Sequence, residues 1–442
     1  LGNVSTIARG GSPRPIDKFI TDDEDGINWI KIGDTEKDGK YIQYTREKIK
    51  PEGLSKTRYV KSGDFLLTNS MSFGRPYILK TDGCIHDGWL VIGNIKTVFD
   101  QDFLYYALSS GFMFSTLSIL AAGSTVKNLK SDTVRSVLFP IPPMEAQIRI
   151  SQRLEKIINI VDSINADKKE LAQIIRHTKL KILDLAIRGK LVPQDPDDEP
   201  ASVLLERIRT EKEELIKQGK IKRDKKESII FKGDDNSYYE TINDKTICID
   251  EQLPFETPNN WSWCRLKSIA SPEENSFVDG PFGSNLKTDH YTTNREVRII
   301  QLNNIGELEW RNNGVKYTTF QHAETLSRCK AYPGDIVIAK MMPAGRAIII
   351  PPVEKQFIIS SDCVRLRPSR NENAEYIMLM INSPIIKKCI LDNVQGIGRT
   401  RTSLTKMKEL LVPIPPLAEQ VRIVEQLHIA YKQLNLILDT QL

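Results

Sequence analysis

The sequence predicts an α+β protein in which two similar globular domains are separated by a pair of long antiparallel coiled-coil helices. The segment "LFPIPPMEAQIRI" (138–150) returns as "LVPIPPLAEQVRI" (411–423), with eight of thirteen positions identical. The segment "VKSGDFLLTNSMSFGRPYIL" (60–79) matches "AYPGDIVIAKMMPAGRAIII" (331–350) at a constant offset of 271 residues. Behind each "PIPP" the pattern changes from strand-like to helical. We therefore interpret the chain as an internal duplication.

Length and composition are typical of a globular protein with several domains. The chain has 442 residues, of which 40 % are hydrophobic and 27 % charged. No apolar run approaches the roughly 20 residues that a membrane span needs, and no signal peptide is recognisable. We expect a cytoplasmic location and no membrane partner. Because residue 1 is Leu and "LGNVSTI" resembles the sequence around Leu266, we expect the first domain to be incomplete at its N-terminus.

The two globular domains are predicted at residues 1–140 and 263–412. Short apolar runs such as "DFLLT" and "DIVIA", bounded by Gly, Pro, Asn and Asp, predict strands of a mixed or mainly antiparallel sheet. Helical spacing of apolar residues predicts helices in "QDFLYYALSSGFMFSTL" and "AEYIMLMINSPIIKKCIL".

The long helices are predicted at 141–190 and 413–442, because paired prolines are tolerated at the start of a helix and not inside it. The first would span on the order of 65–70 Å, which makes it a spacer. Apolar residues in heptad register predict an interface between the two helices, namely Leu154, Ile157, Val161, Ile164, Leu171, Ile175 and Ile182 on the first and Leu427, Tyr431, Leu434 and Leu438 on the second. The alternative is that each apolar stripe packs on its own domain.

Residues 191–262 are predicted to be a linker with one short charged helix. The stretch "KGDDNSYYETINDKT" has the composition of a loop. The basic run from Lys220 to Lys226 either contacts nucleic acid phosphate or is simply solvated.

Positive charge is concentrated in the two globular domains. The chain has a net charge of +5; residues 1–140 carry 18 basic and 16 acidic residues, and residues 263–411 carry 21 and 15. This distribution favours a polyanionic partner, although a solvated surface with random variation gives the same numbers.

The sequence contains no recognisable catalytic or metal-binding motif. It has no amino-methyltransferase Asn/Asp-Pro-Pro-aromatic motif, no GxxxxGK[ST] phosphate loop and no HExxH. The six cysteines have no CxxC spacing and the five histidines have no paired spacing. We therefore expect no catalytic residue, no metal ligand and no bound cofactor.

These features together resemble the DNA specificity subunit of type I restriction-modification systems. The resemblance covers nearly the whole chain and rests on the duplicated "GD…GR" and "PIPP…Q.RI" segments, on "IRGKLVPQDPDDEPASVLLERI" (187–208) and on "LPFETPNNWSWCRL" (253–266). It implies two target-recognition domains, held apart by two antiparallel helices, that each read one half of a split site in double-stranded DNA.

The resemblance also implies partners. Such subunits are non-catalytic and assemble with two DNA methyltransferase (modification) subunits, and with restriction/translocase subunits where restriction occurs. S-adenosylmethionine, ATP and magnesium would then belong to the partners. An enzyme with an unrecognised motif, a non-catalytic adaptor and a specificity subunit of a modification-only or other defence system remain alternatives.

Candidate DNA contacts lie in loops, where Arg, Lys, Asn, Ser and Thr reach phosphates and base edges. They are Arg14, Asn69, Ser72, Arg75, Ser124, Thr125, Lys127 and Asn128 in the first domain and Asn285, Lys287, Lys340, Arg346, Arg399, Thr400 and Arg401 in the second. Because both copies share the Gly-Arg of Arg75 and Arg346, these two arginines have an alternative role in the scaffold. The unshared "VKN" and "GRTR" are the better candidates for reading sequence.

The helices are expected to set the distance between half-sites, since rigidly held domains meet the major groove about one turn, near 34–36 Å, apart or at a related spacing. Adding a helical turn after Gln173 should then change the recognised spacer.

Overall fold

The fold is described from a computed structural model, which describes residues 1–36, 39–69, 73–121, 128–224, 227–392 and 401–440. The chain forms two compact units, Leu1–Ala166 and Asp167–Leu442. The division falls inside one continuous helix, Met144–Ile187. Mixed helix and strand content in two units agrees with the predicted α+β class.

The described part of the first unit contains ten strands. They are β1 (Thr6–Arg9), β2 (Ile20–Thr21), β3 (Ile27–Ile30), β4 (Tyr41–Ile42), β5 (Glu47–Ile49), β6 (Arg58–Val60), β7 (Phe65–Thr68), β8 (Pro76–Leu79), β9 (Gly83–Ile85) and β10 (Trp89–Gly93). One sheet has the order β1-β10-β7-β8-β4 and the other the order β2-β5-β3-β9-β6. The pairs β3/β9 and β4/β8 are parallel, and the remaining pairs are antiparallel.

The first sheet is covered on both faces, which explains why β7 reads as an unbroken apolar run. Phe65 and Leu67 pack in a core with the helices α1 (Gln101–Ser109), α2 (Gly111–Leu120) and α3 (Ser131–Ser136). Leu66 and Tyr77 belong to a second core, which lies between the two sheets. Alternate side chains of one strand therefore serve opposite cores.

The segment predicted as one helix at 101–117 is two helices that meet at Ser110. The Ser110 N–H donates to the carbonyl of Ala107 as α1 ends, and its hydroxyl accepts from the Met113 N–H at 3.2 Å as α2 begins. A serine side chain can cap the start of a helix in this way. The backbone of Ser110 is extended rather than helical. Ser383 separates the corresponding pair of helices in the second unit.

The long helix α4 (Met144–Ile187) is fixed to the first unit by Gln147. The Gln147 side chain accepts from the Asp100 N–H at 2.9 Å and donates to the carbonyls of Val98 and Pro142 at 2.9 and 2.8 Å. Since Asp100 is the N-cap of α1, one glutamine joins the start of the long helix to the start of a domain helix.

In the part of α4 that lies in the first unit, the predicted interface residues are not packed against that unit. Leu154, Ile157, Val161 and Ile164 are 36–49 % exposed. Helical periodicity correctly places them on one stripe, but it cannot show whether another element covers that stripe.

The described part of the second unit contains fourteen strands. They are β11 (Ser228–Lys232), β12 (Tyr238–Ile242), β13 (Lys245–Cys248), β14 (Ser262–Arg265), β15 (Phe277–Asp279), β16 (Tyr291–Thr292), β17 (Val297–Ile300), β18 (Lys316–Thr318), β19 (Lys330–Ala331), β20 (Ile336–Ala339), β21 (Ala347–Ile349), β22 (Phe357–Ile359), β23 (Cys363–Leu366) and β24 (Leu411–Ile414). Its further helices are α5 (Ala201–Lys217), α6 (Phe320–Thr325), α7 (Ala374–Asn382), α8 (Pro384–Asp392), α9 (Leu404–Lys408) and α10 (Leu417–Asp439).

Two sheets of the second unit repeat the strand order of the first unit. They have the orders β15-β23-β20-β21 and β16-β18-β17-β22-β19, and the pair β17/β22 is parallel like β3/β9. Every strand of the two first-unit sheets except β4 thus has a counterpart at the same place. The two remaining sheets are β11-β12-β13 and β14-β24.

The stretch predicted as a linker at 191–262 is instead part of the second unit. Ala201, Leu204 and Ile208 of α5 are buried in its main core. The loop predicted over 232–246 contains β12, where buried Glu240 accepts from the Arg265 guanidinium at 2.8 Å. Polar composition concealed this strand, because the exposed turns on either side of it carry Asp234, Asp235, Asn236, Asn243 and Asp244.

The end of α4 and the helix α10 contact each other within the second unit. The Tyr431 hydroxyl donates to the Lys179 carbonyl at 3.1 Å, and the Lys179 ammonium donates to Asn435 at 2.5 Å. Ile175 and Leu427 are buried. The other predicted interface residues here are half-buried, namely Leu171, Ile182, Tyr431, Leu434 and Leu438.

No single helix in the described ranges is long and apolar enough to cross a bilayer. The pair α1 and α2 reaches that length and composition only when the two helices, bent by 64°, are taken together.

Candidate nucleic-acid interface

The duplicated Gly-Asp pairs form matching turns. The Asp64 side chain accepts from the Lys61 N–H at 3.0 Å, and the Asp335 side chain accepts from the Tyr332 N–H at 2.9 Å. The preceding glycines have φ of +95° and +90°, a conformation that favours glycine. These pairs therefore shape the entry to β7 and β20 rather than contact a ligand.

The duplicated Gly-Arg pairs also have a scaffold role. Gly74 and Gly345 have φ of +69° and +80° and donate to the carbonyls of Thr68 and Ala339 at 3.0 and 2.9 Å. Each closes the loop that follows β7 or β20. The arginine side chains differ, since Arg75 lies over the Tyr77 ring at 5.5 Å, whereas Arg346 donates to the carbonyl of Pro343 at 3.3 Å.

The candidate loops of the first unit converge on the turn between β9 and β10. The Asn69 N–H donates to the Gly88 carbonyl at 3.0 Å, and the Asn69 carbonyl accepts from the Leu129 N–H at 2.8 Å. The Ser12 hydroxyl donates to the Asp87 carboxylate at 3.0 Å. Three segments that are far apart in sequence thus form one surface.

The second unit builds the same convergence with different side chains. The Lys340 N–H donates to the Asp362 carbonyl at 2.8 Å, and the Lys340 carbonyl accepts from the Thr402 N–H at 3.0 Å. Arg401 forms an isolated antiparallel bridge with Met341. By these hydrogen bonds Lys340 occupies the position of Asn69, and Arg401 that of Asn128.

Two of the predicted DNA contacts, Asn69 and Lys340, are buried, so the prediction is wrong for them. Asn69 is 1 % exposed, and its amide donates to the Asp87 carbonyl at 2.7 Å. Lys340 is 8 % exposed, and its ammonium lies 3.7 Å from the Asp279 carboxylate. Sequence alone did not show that the first residue after a central strand still points inward.

Other predicted residues are accessible. Arg14, Asn285, Lys287 and Arg401 are exposed, and Asn128 is half-buried. Ser72, Ser124, Thr125, Lys127, Arg399 and Thr400 lie outside the described residues.

Sequence reasoning missed two arginines beside the first convergence. The Arg9 guanidinium donates to the Asp87 carbonyl at 3.0 Å, and the Arg58 guanidinium donates to the Arg9 carbonyl at 3.2 Å. Arg14 lies 3.8 Å from the Asp87 carboxylate with its side chain 83 % exposed. The signal that was available is the pair Gly10-Gly11 after Arg9, which marks a close approach to another loop.

The region of the second unit that corresponds to Arg9 and its neighbours has a different charge distribution. Asp279 stands where the first unit has Arg9, immediately before the glycine that meets the turn. Its carboxylate is 3.1 Å from Arg328 and 3.7 Å from Lys340. One scaffold therefore presents three exposed arginines in the first unit and internally paired charges in the second.

Metal chemistry has no visible site in the described part of the chain. There, no group of three or more His, Cys, Asp or Glu side chains could hold a metal ion.

Comparison with known families decides the classification. Residues 1–173 and 291–441 match the family described as "Type I restriction modification DNA specificity domain". The chain belongs to this family. The relationship predicted from the duplicated motifs is thereby confirmed.

Curated relatives are specificity subunits. The chain is 32 % identical to the type I restriction enzyme EcoAI specificity subunit of Escherichia coli over 57 % of this chain and 38 % of that protein. It is 22 % identical to the EcoBI specificity subunit, also of Escherichia coli, over 91 % of this chain and 73 % of that protein. The aligned region thus spans well under half of the EcoAI subunit.

A solved structure shares the fold. It concerns complex assembly and conformational transition of the type I R-M system, and one of its chains aligns with a TM-score of 0.59 and 14 % identity. The alignment covers 100 % of this chain and 91 % of that chain.

Proposed function

We propose that this chain is the DNA-binding specificity subunit of a type I restriction-modification complex. In this proposal the two units are duplicated target-recognition domains, and each reads one half-site of a bipartite target. The long helices separate them and carry two methyltransferase subunits. The chain itself is non-catalytic and acts in the cytoplasm.

One observation carries this proposal, namely that one scaffold is used twice with different side chains at the same place. The strand orders and the loop hydrogen bonds correspond between the units, but Arg401 replaces Asn128 and Asp279 replaces Arg9. Arginine pairs bidentately with guanine and asparagine with adenine. Two copies that differ at such positions suit two different half-sites better than one shared ligand.

The exposed apolar stripe of α4 is an argument that partner subunits dock on this helix. Leu154, Ile157, Val161 and Ile164 are 36–49 % exposed along one side of the helix. A row of apolar side chains in water is typical of a protein interaction surface. We assign it to the methyltransferase, and S-adenosylmethionine, ATP and magnesium to the partner subunits.

The test is a selection from randomised duplex DNA, with the full chain and the methyltransferase encoded beside it. We expect two short motifs at a fixed separation. Recovery of one compact motif, or of none, would contradict split-site recognition and would favour the adaptor interpretation. Because the restriction subunit is left out, the selection measures binding and not cleavage. A modification-only system would therefore give the same result.

A further inference from the structure

A group of cations in the second unit lies beside the loop that follows β20. Arg346 closes this loop, and Lys387 lies on α8, which packs against the same place: a Cβ on Gly345 would come within 3.1 Å of the Ile390 side chain. Asn382, in the preceding helix α7, donates to the Ala347 carbonyl at 2.7 Å and so links α7 to β21 beside this loop.

Two further arginines belong to this group. Arg176, on the part of α4 that lies in the second unit, is 2.7 Å from the Glu307 carboxylate. Arg311 is 3.0 Å from Glu309 and folds over Gly306. We call Arg176, Arg311, Arg346 and Lys387 the cationic cluster.

The cationic cluster has more positive charge than its carboxylates neutralise. Glu307 and Glu309 each pair with an arginine, whereas within the described residues Arg346 and Lys387 have no carboxylate within 4 Å. The residues of the second unit outside the described ranges include no Asp or Glu.

Arg346 and Lys387 are also partly withdrawn from water. Burial, together with the neighbouring Arg311, lowers the pKa of Arg346. Burial, with Arg346 and Arg176 nearby, lowers the pKa of Lys387. Glu307 offsets part of this repulsion. Four cations nevertheless share two carboxylates, so an anion placed among them would be bound favourably.

We propose that the cationic cluster binds the phosphodiester backbone of the DNA half-site that the second unit reads. This inference rests on the proposed function and assigns Arg346 to phosphate rather than to a base. Phosphate fits because Arg and Lys contacts to it set register without reading sequence. The cationic cluster extends from the loop after β20 to α4. DNA bound to it would therefore be held in a fixed position relative to both.

The test is the salt dependence of binding by the full chain in complex with the methyltransferase encoded beside it, measured by fluorescence anisotropy on the selected duplex and on a random duplex. We expect R346Q and K387Q each to reduce the slope of log K against log salt by about one and to weaken both duplexes to the same degree. K388Q is the matched control, since it removes the same charge from the exposed neighbouring position of α8. Its slope should equal that of the unmodified chain.

Other outcomes separate the two proposals. If the unmodified chain binds DNA and the slopes of R346Q and K387Q are unchanged, the phosphate assignment is wrong and the specificity function stands. A loss confined to one base position would instead make Arg346 a base reader. If the complex of the unmodified chain and its methyltransferase prefers no duplex at all, the specificity function fails and the cluster assignment fails with it. Thermal melting should show K387Q to be at least as stable as the unmodified chain, because repulsion is removed; a lower melting temperature would indicate a structural role.

Discussion

Gln420 accepts a hydrogen bond at 2.9 Å from the backbone N–H of Asn373, which is the N-cap of α7. Its amide also donates to the Glu372 carboxylate at 2.7 Å and to the Pro415 carbonyl at 3.1 Å. Gln147 makes the corresponding bonds to Asp100 and Pro142 in the first unit. The repeated glutamine of "PIPP…Q.RI" is therefore the joint between a long helix and its recognition domain.

Replacing Gln420 with Ala should destabilise the second unit by about 3 kcal/mol or more. Gln420 is fully buried, and each buried group left without a partner costs about 1–3 kcal/mol. Urea unfolding of the full chain measures the change. Gln433→Ala, at an exposed position of the same helix, should stay within about 0.5 kcal/mol; equal effects of the two substitutions would show that the joint contributes nothing.

Glu372 should make stability depend on pH. Burial raises the pKa of Glu372 to about 8, while in the unfolded chain the group has its ordinary acidic value. Between about pH 5 and pH 8 the folded chain therefore holds a proton that the unfolded chain has released. Stability should fall as pH rises through this window and level off above it, by at most about 1.4 kcal/mol per pH unit.

The comparison of Glu372→Gln with the unmodified chain checks this expectation. The amide cannot ionise, so its unfolding free energy should depend less on pH, and its advantage over the unmodified chain should reach its full size at about pH 8 and above. Glu425→Gln, at an exposed position of α10, is the control. A profile for Glu372→Gln that parallels the unmodified chain would mean that another group is responsible.

Gly280 should tolerate no side chain. A Cβ at Gly280 would overlap the Ser360 carbonyl oxygen, and one at Gly10 would overlap that of His86. Gly280→Ala should therefore lower the stability of the second unit by about 1–3 kcal/mol, the usual cost of overpacking. Gly283→Ala, where a Cβ would meet nothing within 4 Å, should be neutral or slightly stabilising. Thermal melting distinguishes them, and equal melting temperatures would contradict the close approach.

The sequence predicted where strands and helices lie better than it predicted which side chains are buried. Turn residues around "DFLLT" and "DIVIA" correctly located β7 and β20, because glycine and aspartate shape those turns locally. The burial of Asn69 and Lys340 depends on loops distant in sequence, so no local pattern shows it. The sheet over 228–248 was missed for a related reason, since its polar turns resemble a loop and the Glu240–Arg265 pair joins residues that are distant in sequence.

Arg401 should determine one base of the second half-site. It is exposed beside the loop after β20, at the position that Asn128 holds in the first unit. Arg401→Ala should cost about 1–3 kcal/mol at one position of that half-site and leave the other half-site unchanged. Arg401→Lys keeps the charge but loses the bidentate fork, so it should relax the same position. Uniform weakening on all sequences would instead indicate a phosphate contact.

Lengthening α4 should lengthen the recognised spacer. Residues 152–167 are exposed, so seven residues added after Asn165 disturb no packed side chain, whereas an insertion after Gln173 would displace buried Ile175 and the Arg176–Glu307 pair. Seven helical residues add about 10.5 Å and change the rotation by only about 20°. That rise corresponds to about three base pairs at about 3.4 Å each.

The selection described above, repeated with the lengthened chain, reads the spacer directly. We expect unchanged half-sites and a spacer longer by about three base pairs, because the insertion leaves both sets of recognition loops intact. Seven residues added after Asp235, in the hairpin between β11 and β12, serve as the control and should leave the spacer as it was. An unchanged spacer in both variants would show that DNA bending or the partner subunits, rather than the length of α4, set the distance between half-sites.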